Sequence, residues 1–188
     1  MKSVFRILLC LFFAVTSHIA LAQTRLTVGQ ALDFWITATE NAVVAAADAM
    51  PEEKYSFAPT TGEFAGVRTF AQQIKHLAAN NYRMAAYILG QTPTPEQESE
   101  IGPDSVQSKA QIMDYVKGSF GALHRAMGAI NERNLLEPLA ASPSPQQKTR
   151  LQLAEDVVAH SYNHYGQMVE YLRMNGIVPP ASRRHPPH

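Results

Sequence analysis

The sequence predicts an all-α protein folded as a four-helix bundle. Three observations carry this prediction. Apolar residues recur at three- and four-residue spacing through four long segments. No segment alternates with the two-residue period of a half-buried strand. Connections rich in Pro and Gly separate the helical stretches. A helix with one apolar side has to bury that side, and four such helices without strands bury it against each other.

The first helix is expected from about Val28 to Met50, with Thr27 as its cap and Pro51 as its stop. Leu32, Trp35, Ile36, Thr39, Val43 and Ala46 line one side, so Trp35 is expected in the core. Residues 51–67 read as a long loop. The second helix runs from about Arg68 to Leu89 and ends at Gly90, a natural C-cap. Its apolar stripe is Phe70, Ile74, Leu77, Met84 and Ile88. A polar linker, residues 91–104, leads to a third helix from about Ser105 to Asn131. Leu139 to Ser144 form a turn, and Ser144 with Pro145 reads as an N-cap and first helical residue. The fourth helix is expected from Pro145 to about Asn175, with Gly176 and then Pro179 and Pro180 beyond it. The bundle domain therefore spans residues 23–180, and residues 181–188 read as a disordered Pro/His-rich tail.

The N-terminus has the pattern of a secretory signal peptide over residues 1–22. Lys2 and Arg6 are a basic start, Ile7 to Val15 a short apolar run, and Ala20-Leu21-Ala22 a small-residue cleavage site. The run is too short to span a bilayer, so stable membrane insertion after cleavage is not expected. The protein is expected to be exported, to the periplasm or the extracellular space. Cleavage lowers Lys+Arg from 16 to 14 against 16 acids, a net charge of −2. No basic stripe offers a footprint to a phosphate backbone, which argues against nucleic acid as a partner. A small-molecule substrate and a homodimer are both compatible with this composition. The single cysteine, Cys10, lies in the apolar run, so the mature chain has no disulfide and no thiolate. A metal site would have to use His, Asp, Glu or backbone oxygens.

The fourth helix carries the sharpest signal. At about 100° per residue, Leu153, Val157, His160, His164, Met168 and Tyr171 share one face. His160 and His164 thus point inward one turn apart, a spacing that lets two imidazoles meet one ion. Two core histidines bonded to backbone or to each other would give the same pattern. Asp156, one turn earlier, could orient an imidazole, and Gln167 lies near the same line. His76 is harder to place. It lies about 120° from the apolar stripe of the second helix, on a side shared with Gln73, Asn80 and Tyr87. Periodicity favours a solvated surface histidine; a polar mouth between helices is the alternative. His124 on the third helix poses the same question and is the weaker candidate. His18, His185 and His188 fall in the leader or the tail.

The stretch Val158 to Pro180 resembles the end of DinB-like proteins: a histidine pair, then Gly-Gln, then Tyr-Leu-Arg and a Gly…Pro-Pro ending. Here these are His160, His164, Gly166, Gln167, Tyr171, Leu172, Arg173, Gly176, Pro179 and Pro180. Met50 to Asn80 resembles that family's loop and second helix, where a single histidine supplies a third ligand; His76 matches it. The resemblance implies a four-helix bundle with one divalent ion on His76, His160 and His164. Three neutral imidazoles suit zinc, nickel, iron or copper better than magnesium or calcium, with zinc or nickel favoured. Three protein ligands leave positions for water or substrate, the arrangement of a metal-dependent hydrolase or transferase. A non-catalytic metal- or ligand-binding bundle is the competing expectation, because no strong base is evident; Asp156, Glu63 and Tyr55 are the candidates.

Overall fold

The computed structural model describes residues 25–183. The expected leader, residues 1–22, and residues 184–188 of the tail lie outside the described residues. Four helices carry the fold: α1 (Val28–Ala49), α2 (Phe70–Ile88), α3 (Lys109–Gly128) and α4 (Arg150–Met174). Among the described residues there is no strand, only two isolated bridges in the α3–α4 connection. Nor is any helix there long and apolar enough to cross a membrane. The described chain continues past residue 180 through a short 3-10 helix, Pro180–Ser182, packed against α1.

All four helices open with one device. Thr27, Thr69, Ser108 and Thr149 each accept the backbone N–H of a glutamine three residues on, and that glutamine's side chain accepts the cap N–H in return. Such a box satisfies two donors that a helix start otherwise leaves open. The fourth box explains a difference from the sequence expectation. Ser144 and Pro145 do not start α4; Thr149 with Gln152 does. Residues 142–148 instead form a tight turn, in which Ser142 Oγ donates to the carbonyl of Gln147 and the Leu139 N–H donates to Lys148 O at 2.7 Å. Gly90 and Gly176 follow their helices with φ of 71° and 73°, as C-cap glycines do.

α1 packs on α3 and α4, and α2 packs on the same two helices from the other side. The helices therefore circle the core in the order α1, α3, α2, α4. The core joins Ile36 and Val43 of α1, Phe70, Ile74 and Leu77 of α2, Val116, Phe120 and Leu123 of α3, and Leu153, Val157 and Met168 of α4. Contacts from Arg150 to Ile88, His160 to Asn80 and Tyr171 to Arg68 show that α2 and α4 run antiparallel side by side. That pairing places His76 opposite His160.

One core expectation fails. Trp35 is 51% exposed, while its neighbour Ile36 is buried. One residue is about 100° of helix rotation, so a stripe centred on Ile36, Thr39 and Val43 turns Trp35 to its edge. There it borders a cleft of about 340 Å³ with Leu32, Val158 and Tyr162. A buried Trp→Ala costs about 3–5 kcal/mol; here Trp35→Ala should cost about 1 kcal/mol or less by urea denaturation. A cost of 3 kcal/mol or more would put Trp35 back in the core.

Candidate metal centre

α2 and α4 bring His76, His160 and His164 together, with one ring nitrogen from each lying within 4.8 Å of the others. His160 Nε2 is 3.3 Å from His76 Nε2 and 3.1 Å from His164 Nε2. His164 is buried, and the His76 side chain is only 11% exposed. His76 is thus no solvated surface histidine. The polar side of α2 is itself covered: Gln73 and Asn80 are buried against α4.

Each imidazole has a partner at its other nitrogen. The carbonyl oxygen of Glu100 lies 2.6 Å from His76 Nδ1 and can only accept, so His76 carries its proton there. Gln73 Oε1 lies 2.6 Å from His164 Nδ1. The Gln73 amide is oriented by its Nε2 donating to Gln167 Oε1 at 2.8 Å, and Gln167 donates on to Asn163. His164 therefore also carries its proton on Nδ1. Both rings present an Nε2 lone pair to the centre, the form in which imidazole binds a metal. His160 Nδ1 faces the Asn80 amide at 3.2 Å, and Arg83 donates to Asn80 Oδ1 at 2.9 Å. With Nδ2 of Asn80 pointing at His160, the His160 proton sits on Nε2, between two lone pairs. Rotation of the Asn80 amide would let its oxygen take a proton on Nδ1 and turn the third lone pair inward. The donor set fits a metal ion: three convergent imidazoles, held by polar partners other than bulk water.

Of the base candidates, Tyr55 is disqualified. Its hydroxyl is buried and donates to Ala47 O at 2.9 Å, and burial raises its pKa far above the usual value. Glu63 lies in the exposed loop. Asp156 makes no hydrogen bond to the three histidines among the described residues; its charge acts on His160 through space. Gln73 and Asn80 were expected only as neighbours of His76 on its side of α2, and the sequence singled out neither as an orienting group nor Glu100 at all. A polar residue every three or four positions along α2 was the available signal.

Burial pushes all three imidazoles below their ordinary pKa of about 6.5. His160 falls to about 4, with the neighbouring His76 adding to the burial effect, and His164 falls to about 3. His76 also falls, although the Glu100 carbonyl partly opposes burial. Competition between protons and metal in the folded protein is therefore displaced well below the value near 6.5 that a free imidazole would give. The unfolded chain still protonates these residues near 6.5, so below that pH it binds more protons than the fold does. Stability of the metal-stripped protein should fall as pH drops from about 6.5 toward 4, and the triad should contribute no slope above 6.5. His124 has the opposite sign. Burial lowers its pKa, but the carboxylates of Glu40 and Asp33, at 2.9 Å and 2.5 Å, outweigh it and raise the net value. That clamp of α1 to α3 stabilises below 6.5 and is lost as pH rises through the raised value. Denaturation at pH 7.5, 6 and 5 on the wild type and a His160→Gln, His164→Gln variant isolates the triad; equal slopes would refute the assignment.

No curated protein matches this chain. The model of the DinB superfamily matches residues 36–168, a span that runs from α1 through both histidines of α4. With the four-helix bundle and the three convergent histidines, that match over well more than half of its length places this chain in the DinB superfamily.

Proposed function

We propose that this protein is an exported metal-dependent enzyme, a hydrolase or transferase acting on a small molecule, with zinc or nickel held by His76, His160 and His164. The observation that carries this reading is the convergence of three Nε2 atoms whose rings are each fixed from behind, by Glu100, Asn80 and Gln73. A bound divalent ion would supply Lewis acidity and a water acidic enough to act near neutral pH. The protein's own part is to keep the imidazoles neutral and aimed. Export rests on the basic, apolar and A-x-A sequence of residues 1–22, and N-terminal sequencing should find Gln23 first.

A second reading, a non-catalytic metal- or ligand-binding bundle, is favoured by one observation: among the described residues no carboxylate hydrogen-bonds to the central Nε2 atoms of the triad. Glu100 reaches only His76 Nδ1, behind the centre, with an oxygen that is also paired with Arg68. Metal analysis of the purified mature protein, followed by assay on simple ester, amide and phosphate substrates, separates the readings. Stoichiometric metal with metal-dependent turnover supports the enzyme. Stoichiometric metal without turnover supports the metal-binding protein, and no metal defeats the enzyme and leaves only the ligand-binding bundle.

A further inference from the structure

The linker between α2 and α3 is acidic where it passes the three histidines. Glu100 Oε2 lies 3.1 Å from Arg68 and 3.3 Å from His76 Nδ1. Glu98 Oε2 lies 3.7 Å from Arg83, and its other oxygen accepts from the Tyr87 hydroxyl at 3.1 Å. Arg68 immediately precedes the cap of α2 and Arg83 lies two turns beyond His76, so the two arginines flank His76 along one helix. Arg68 is close enough to act electrostatically on all three imidazoles, and Arg83 on His76 and His160.

Neither arginine has a carboxylate partner from the four helices among the described residues; both are paired only by the linker. Arg83 also has a buried Nε with no hydrogen-bond partner. Around the histidines, Arg68 and Arg83 stand against Glu98, Glu100 and Asp156, a net of −1. A divalent ion on the histidines would reverse that to +1. It would also favour the Asn80 rotamer that turns its oxygen to His160, and so take from Arg83 its contact with Asn80 Oδ1. Guanidinium groups bind carboxylate and phosphate oxygens through paired N–H donors, and each arginine here already pairs with a linker carboxylate.

We propose that Arg68 and Arg83 form an oxyanion-binding pair beside the metal centre, that the substrate is a small molecule with carboxylate or phosphate groups, and that Glu98 and Glu100 hold the arginines in its place until it binds. This deepens the metal-enzyme reading and rests on it. The linker is then a competitive strap: an incoming anion takes the arginines and the two glutamates swing to solvent.

The test is calorimetric titration of the full mature chain, zinc-loaded and freed of excess zinc, with succinate, inorganic phosphate and neutral succinamide. Succinate or phosphate should bind and succinamide should not; whichever anion binds names the group. Arg68→Gln and Arg83→Gln should each weaken that binding by about tenfold with zinc content unchanged. Glu98→Gln with Glu100→Gln should tighten it several-fold, because the competitor is gone while the Glu100 carbonyl stays on His76. Three results would overturn the proposal: no binding of either anion up to about 10 mM, undiminished binding in the double arginine variant, or no gain in the double glutamate variant. A wild-type chain that takes up no zinc fails the metal reading instead, and the same titration on that chain still decides whether the arginines receive the anion.

Discussion

His160→Ala and His164→Ala should each abolish stoichiometric zinc binding and with it the zinc-dependent rise in melting temperature. The loss is expected to be large because a two-ligand remnant has no third imidazole from α4 or α2 to replace it. A zinc ion that binds the folded arrangement and not the unfolded chain would, at about a hundredfold over its Kd, raise stability by about 2.7 kcal/mol in the wild type and by nothing in these variants. His76→Ala is the sharper case. Periodicity places His76 on the polar side of its helix, whereas the structure sets its Nε2 3.3 Å from that of His160. It should lose zinc as His160→Ala does. His124→Ala is the control: its ring sits between Asp33 and Glu40 on the α1–α3 side, so zinc content should not change even where the fold is weakened. Metal content by elemental analysis, read beside melting curves with and without zinc, decides all four. Full stoichiometry and affinity in His76→Ala would reduce the site to two histidines.

Gln73→Leu should weaken zinc binding by about 10–100-fold, the usual cost of losing a group that orients a metal-bound histidine. Gln73 is 2% exposed, and its Oε1 is the acceptor for His164 Nδ1. Leucine fills similar volume but leaves a buried N–H without a partner, a cost of about 1–3 kcal/mol that falls on the tautomer able to bind metal. The ring can escape that cost by moving its proton to Nε2, which puts an N–H where the ion needs a lone pair. Gln73→Glu keeps an acceptor at the same place and should retain most of the affinity. Competition against a chromophoric zinc chelator measures both. Equal affinity in the wild type and Gln73→Leu would show that His164 needs no partner behind it.

The sequence alone determined the number and order of the helices, the inward pair His160 and His164, and the loop and glycine punctuation between elements. These are local properties: periodicity, caps and stops act over a turn or two of chain. It was less decisive at boundaries where two local signals compete. Ser144-Pro145 and Thr149-x-x-Gln152 both make good helix starts. Pairing of the connection with residues 135–139 gave the start to the second, through the N–H of Leu139 on Lys148 O and of Leu151 on Leu135 O. Trp35 was misplaced for a related reason, since a stripe's centre depends on which neighbours the helix meets, and α1 meets α3 and α4 along Ile36, Thr39 and Val43.

Only the tertiary structure decided the centre itself. His76 is 84 residues from His160, and no periodicity within α2 reports that its polar side is roofed by α4 and by the linker. A polar face reads as solvated until something covers it. Here the cover is made of matched polar groups, Gln73 to Gln167, Asn80 to His160 and Glu100 to His76, so burial costs little and leaves no apolar trace in the sequence. The charge of Glu98 and Glu100 is written in the linker, but that they meet Arg83 and Arg68 beside three histidines follows from how the linker runs back along α2, which is a fact of packing.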